Sequence, residues 1–181
     1  KVENKIEWRE AYKRFQRLSR WTNGRQLKVS THPNSSITVS GIETILENWE
    51  IYDDFTPDVI IIDYADILAS DYKGEFRHQE NEKWKALRRL SQRRKCLVIT
   101  ATQTDSDAYK KRSLSLDNFS EDKRKYAHVT GMLALNQTPE EKEAGIMRLN
   151  WILLREGEFS PDKEVTVAQS IRIGQPLLFS I

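Results

Sequence analysis

An aspartate directly behind an unbroken aliphatic run and a glutamine behind a second such run are the positions best placed to do chemistry. Val59, Ile60, Ile61 and Ile62 read as a strand buried on both faces, as in the middle of a parallel sheet, and Asp63 and Tyr64 follow at once. Leu97, Val98 and Ile99 form the next run, extended by Thr100, Ala101 and Thr102 and ending at Gln103. Strand ends of this kind face the ligand crevice of an α/β sheet. A carboxylate there can hold Mg²⁺; the plainer alternative is a core strand whose last residue faces water. A neutral amide can hydrogen-bond a phosphate oxygen without adding charge beside it. One helix of crossover length separates the runs, so a right-handed parallel arrangement brings Asp63 and Gln103 to the same sheet edge. The pair suits nucleotide hydrolysis.

The flanking segments are read as the frame for that edge. Residues 4–22 place Ile6, Ala11, Phe15 and Leu18 at helical spacing, with Trp8 and Tyr12 beside them, and Asn23-Gly24 is a helix stop. Leu27 to Ser30 reads as a short strand, and His32 to Ser35 as a loop. A helix capped by Thr38 or Ser40 follows, with Ser40-x-x-Glu43 fitting a capping box and Ile42, Ile45, Leu46 and Trp49 forming one stripe. A third helix is predicted from about Gln79 to Arg94 with Trp84, Leu87 and Leu90 inward. Between Lys83 and Lys95 lie seven Lys or Arg and no acid, which reads as a solvated face. Residues 104–125 carry Lys110-Lys111-Arg112 and Lys123-Arg124-Lys125 without a long apolar run, the mark of a functional or disordered loop. Strands resume at 129–135, 146–154, 165–171 and 177–179, and Thr138-Pro139 opens a helix between the first two. Strand and helix alternating, then a run of strands, predicts an α/β fold: a mostly parallel sheet flanked by helices, with antiparallel strands at the C-terminal edge.

Composition narrows the class without choosing within it. The 181 residues suffice for one domain with a sizeable core, and 31% are charged. No apolar run approaches the ~20 residues that cross a bilayer, and no signal-peptide pattern opens the chain. The single Cys96 excludes an intramolecular disulfide and sits in an apolar stretch, where packing is its expected role. His32, His78 and His128 have neither metal spacing nor a nearby nucleophile. The lone cysteine suits a reducing, cytoplasmic setting.

Taken in order, Val59 to Tyr64, Val98 to Gln103, Leu135-Asn136-Gln137-Thr138 and Leu149 to Gly157 resemble the motor domain of DnaB-type replicative helicases, closest to phage-like or divergent members. The resemblance runs from about residue 3 to 178. It implies a RecA-like P-loop NTPase core that uses ATP and Mg²⁺, forms a hexameric ring, acts on single-stranded DNA and meets a primase or a helicase loader. By position, Asp63 matches the Walker B acid that holds Mg²⁺ through water, and Gln103 the glutamine that contacts the γ-phosphate. Arg155 matches the arginine finger acting on a neighbouring protomer's ATP, a class of contact worth ~10³–10⁵ in rate elsewhere. Glu3 resembles the Glu that orients the attacking water; an acid at a helix start is its ordinary alternative. DNA contact is expected from Lys110, Lys111 and Arg112, with Lys73 and Arg77 as further candidates, since backbone phosphates need scattered loop cations rather than base-reading groups.

Two departures from the family pattern matter. No Gly-x-x-x-x-Gly-Lys-Ser/Thr loop occurs, as none of the seven glycines precedes a Lys. Residues 1–181 are therefore expected to be a single partial motor domain, truncated at its N-terminal side, with the phosphate loop upstream and little activity of its own. The family's Lys two before the finger arginine is Leu153 here. The competing readings are a RecA- or KaiC-like DNA-binding ATPase that does not unwind, and a non-hydrolysing assembly module.

Overall fold

The computed structural model describes residues 7–21, 26–104, 111–115 and 124–181, less the side chains of 18–21 and 124. Helix α1 (Trp8–Trp21) has the predicted amphipathic pattern, yet its Trp8, Tyr12 and Phe15 are exposed. Its predicted start at residue 4 and its stop at Asn23-Gly24 lie outside the described residues. The strand expected at Leu27 to Ser30 is not formed. That segment is irregular, with Leu27 and Val29 exposed and Lys28 paired to Asp53 over the rings of Trp49 and Phe55. Strand-like residues need a ladder partner, and among the described residues this segment has none.

Helix α2 (Val39–Asp53) starts where the Thr38 hydroxyl accepts the Gly41 N–H at 3.2 Å. Thr38 is thus the cap, and the Ser40 box does not form. Ser40 instead donates its hydroxyl to Asp71 at 2.5 Å and its N–H at 3.2 Å, tying the loop after β1 to the start of α2. The helix stops at Asp54, whose φ of 51° turns its N–H back to the Trp49 carbonyl.

Strand β1 (Val59–Ile62) and strand β2 (Leu97–Thr100) pair in parallel, Val59 against Leu97 and Ile61 against Ile99. Helix α3 (Phe76–Arg94) is the crossover between them and begins ahead of the predicted Gln79. Alternate strand positions and the inward faces of α2 and α3 build the main core, from Val39, Leu46, Ile60, Trp84, Leu87 and the fully buried Leu90. The basic run of α3 is not wholly solvated. Lys83 is buried and donates to the equally buried Glu80 at 2.7 Å, while Arg93 and Arg94 reach Glu43 and Glu50 of α2. A cation can be buried only with its charge matched, and the acids needed lie outside the run itself.

A short helix α4 (Arg124–His128), not foreseen in the sequence, leads into the second half. There β3 (Gly131–Asn136), β4 (Ile146–Leu154), β5 (Glu164–Ser170) and β6 (Gln175–Ser180) form an antiparallel sheet in chain order, with a register shift between Met132 and Leu133. Helix α5 (Pro139–Ala144) joins β3 to β4, with Pro139 opening it and Thr138 and Glu141 closing a reciprocal capping box. Gly145 ends it at a φ of 68°, where an added Cβ would stand 2.7 Å from the Gln169 carbonyl oxygen. The single, mostly parallel sheet read from the sequence is corrected here. Among the described residues the parallel part is a pair, and it shares no ladder with the four-stranded antiparallel sheet. Neighbouring antiparallel strands close through short connections, whereas β2 reaches β3 only through a long polar segment and α4.

Candidate nucleotide site at the end of the parallel pair

Because β1 and β2 run in parallel, their C-terminal ends open on one edge. Asp63 follows β1 directly, and Gln103 follows β2 after Ala101 and Thr102. The ladder continues past the strands: Thr100 donates its hydroxyl to the Ile62 carbonyl at 2.9 Å and Ala65 its N–H to the Ala101 carbonyl at 3.3 Å. That link holds the turn at Ala65–Ile67 against Thr102 and Gln103. The Gln103 amide donates to the Tyr64 hydroxyl at 3.3 Å, so Tyr64, half-buried, lies between the two strand ends.

Asp63 is exposed, and among the described residues its carboxylate has no hydrogen-bond or ion-pair partner. Asp66, overlooked in the sequence, is the opposite case. It accepts the Thr102 hydroxyl at 2.9 Å, the Gln103 N–H at 2.9 Å and the Lys125 ammonium at 2.9 Å. Burial pushes its pKa up. The Gln103 N–H, then Lys125 by hydrogen bond and charge, and Thr102 outweigh that, so the carboxyl titrates below the usual aspartate range. Lys125 also donates to the Thr102 hydroxyl at 2.9 Å and lies 5.8 Å from the centre of the Trp84 ring. The sequence signal for Asp66 was faint: an acid between Ala65 and Ile67, where a surface residue would not be flanked by apolar ones.

Arg155, directly after β4, is exposed but engaged within its own chain. Its guanidinium donates to the carbonyls of Val129 at 2.8 Å and Tyr126 at 2.9 Å, at the C-terminal end of α4. Cations are favoured at that end of a helix by its dipole. His128 of α4 donates its Nε2–H to the Asn81 side-chain carbonyl at 3.1 Å, and burial, then Lys85, lower its pKa below the ordinary histidine value.

Of the basic candidates, Lys73 and Arg77 sit between β1 and the body of α3, and α3 runs back against the strands, so they share the edge of Asp63. Lys111 and Arg112 are exposed, but the chain beneath them is fastened. Arg148, buried in β4, donates to the Arg112 carbonyl at 2.5 Å, to Ser113 at 3.0 Å, to Glu141 at 2.6 Å and to Glu164 at 2.9 Å. Asn136 accepts the Leu114 N–H at 2.8 Å, and Asn150 donates to the Leu114 carbonyl at 3.3 Å. Glu3 and Lys110 lie outside the described residues.

A cleft of about 1030 Å³ runs beside β1, between the strand and residues 26–33, and Asp63 and Tyr64 line it. Asp63, unengaged among the described residues, fits a hydrated Mg²⁺, which needs only one or two protein carboxylates and keeps several waters; Asp54 and Asp58 line the same cleft. Nothing in the sequence supplies a glycine-rich phosphate cradle, so the residues present fit the metal side of a nucleotide site and only part of the phosphate side.

No protein-family model and no curated relative matches the sequence. Solved structures do. An ATPase domain matches with a TM-score of 0.64 at 15% identity, over 77% of this chain and 50% of that one. A DnaB-like replicative helicase, solved in a study that also described its interactions with primase, matches with a TM-score of 0.69 at 12% identity, over 94% of this chain and 41% of that one. The chain thus spans about half the length, or less, of the structures it resembles. At these identities the likeness is one of fold: the chain shares its fold with part of each of these two structures.

Proposed function

We propose that this chain is part of an ATP-dependent DNA helicase motor, in which hydrolysis at subunit interfaces drives movement along single-stranded DNA. The observation that carries the reading is the meeting of Asp63, Tyr64 and Gln103 at one end of a parallel strand pair, with Asp63 unengaged among the described residues and Gln103 held. In this reading Asp63 is the Walker B acid and would hold Mg²⁺ through water, which screens the charge of the phosphates. Gln103 hydrogen-bonds the terminal phosphate through its neutral amide. In the same reading Glu3 activates the water. Lys73, Arg77, Lys110, Lys111 and Arg112 grip the DNA backbone. A hexameric ring, a primase or loader partner and a cytoplasmic setting belong to the same proposal.

The test is hydrolysis by the intact protein. ATP turnover stimulated by single-stranded DNA is expected, with Asp63→Asn lowering kcat by about a hundredfold or more, the scale set by losing a metal-borne charge at the transition state. Turnover that survives Asp63→Asn unchanged sinks the assignment, and turnover without strand separation favours a RecA- or KaiC-like ATPase.

A non-hydrolysing assembly module is the second reading. It is favoured by Arg155, whose guanidinium is occupied by carbonyls of its own chain at Tyr126 and Val129, and by Leu153 in place of the family's Lys. A trans contact would require Arg155 to leave those carbonyls. Loss of hydrolysis in Arg155→Ala, regained when that variant is mixed with Asp63→Asn subunits, separates a trans finger from a helix cap.

A further inference from the structure

The Asp66 carboxylate joins two stretches that are far apart in sequence. The chain leaves the parallel pair at Thr102 and Gln103, and both bond Asp66; it returns at Lys125, which bonds the same carboxylate and the Thr102 hydroxyl. The Asp66 and Lys125 side chains are only 23% and 15% exposed, so their charges meet partly out of water, where pairing matters more. Asp66 does not touch the Gln103 amide. It holds the backbone N–H at the pivot of that side chain, while Tyr64 takes the amide at its other end. Lys125 is fixed in turn by the Trp84 ring on α3.

We propose that Asp66 and Lys125 are the positioning pair for Gln103, so that α4 and the nucleotide edge cannot move independently. The geometry assigns the roles. Asp66 sets the backbone of Gln103, Lys125 neutralises Asp66 and holds Thr102 in place, and the Gln103 amide is presented toward the edge that carries Asp63. Displacing Lys125 leaves a carboxylate with its charge unmatched beside Gln103, and the backbone there loosens. The consequence for hydrolysis rests on the function proposed above; the holding of Gln103 does not.

Asp66→Asn keeps the shape and an acceptor for the Gln103 N–H but turns an amide NH₂ or an uncharged oxygen toward Lys125. Lys125→Met keeps the stem and removes the charge. The first readout is backbone amide exchange at Gln103 in the 181-residue chain, expected to quicken about tenfold in either variant and no further in the double variant, as coupled neighbours are non-additive. Lys125→Arg, which restores the charge, returns it toward the original rate and shows that any loss is not general unfolding. The second readout is hydrolysis by the intact protein, where kcat is expected to fall about tenfold with KM for ATP held, a split that a merely structural role would not give. Unchanged exchange at Gln103 in both variants overturns the proposal. Faster exchange with unchanged kcat overturns its link to the chemistry. If the unaltered protein hydrolyses no nucleotide, the functional reading fails, and exchange alone decides whether the pair holds Gln103.

Discussion

Asp63 and Asp66 close the same strand end in opposite environments, and the difference decides what each can do. Asp63 is exposed and unengaged among the described residues, so its carboxylate is available to a cation from solution. Asp66 is committed to Gln103, Lys125 and Thr102, and its pKa is lowered by them against the opposing effect of burial. A carboxyl whose folded pKa lies below its unfolded value stabilises the fold above the unfolded value, and that stabilisation fades as pH falls through the folded one. The unfolded value is about 3.9, so the Asp66 contribution is expected to be complete at pH 5 and above and to disappear only below about pH 4. An NMR titration of the carboxyl carbons checks this. A midpoint for Asp66 above the ordinary aspartate value would contradict it and would mean that burial outweighs the partners. The same balance leaves Cys96 as packing: burial raises its thiol pKa, so little thiolate forms at neutral pH.

At the level of elements, apolar spacing and cap chemistry were legible in the sequence and charge pairing was not. The inward face of α3 at Trp84, Leu87 and Leu90 follows from helical spacing, and Thr138-Pro139 fixes the start of α5 to the residue. Strand β4 has the predicted bounds, since a mostly apolar stretch between a helix stop and a turn allows little else. What could not be read is which cation meets which acid across the fold. Lys125 finds Asp66, and Arg148 finds Glu141 and Glu164, each among many similar charges. The candidate site divides along the same line. Asp63 and Gln103 could be singled out because they interrupt aliphatic strands, whereas Asp66 and Lys125 acquire meaning only when the chain is folded. Arg148 carries the element-scale prediction. It anchors residues 112–114 on the antiparallel sheet, and the Ser113 hydroxyl donates to Glu164 beside it. Arg148→Met is expected to cost roughly 3 kcal/mol, at the foot of the range for breaking a buried pair, because Glu141 and Glu164 keep some contact with water. Urea unfolding measures it. A loss under about 0.5 kcal/mol, the scale of an ordinary surface change, would show that the cluster is not a clamp.

For the molecule as a whole, the parallel pair poses the sharpest physical question. Parallel strands normally lie between two layers, because their crossovers put helices on the faces and their side chains are apolar on both sides. Here α2 and α3 cover one face, with Ile60 buried and Val98 packed into the core. Among the described residues nothing covers the other face. Val59 and Ile61 are 46% and 72% exposed, and their register partners Leu97 and Ile99 are 55% and 45% exposed. The four lie side by side, so they form one contiguous patch and not scattered surface residues. Patches of this kind on a folded chain mark surfaces that bind or aggregate. The 181-residue chain is therefore expected to bind a hydrophobic dye such as ANS while its helices and sheets remain folded, and to associate as its concentration rises. Ile61→Lys together with Ile99→Lys should reduce both effects without a fall in the unfolding midpoint, since neither side chain is buried and both would carry charge into water. Circular dichroism and dye fluorescence followed together decide the matter. Dye binding that survives the double change would place the exposed apolar surface elsewhere, and a collapse of the far-ultraviolet signal would mean that the open face is covered after all.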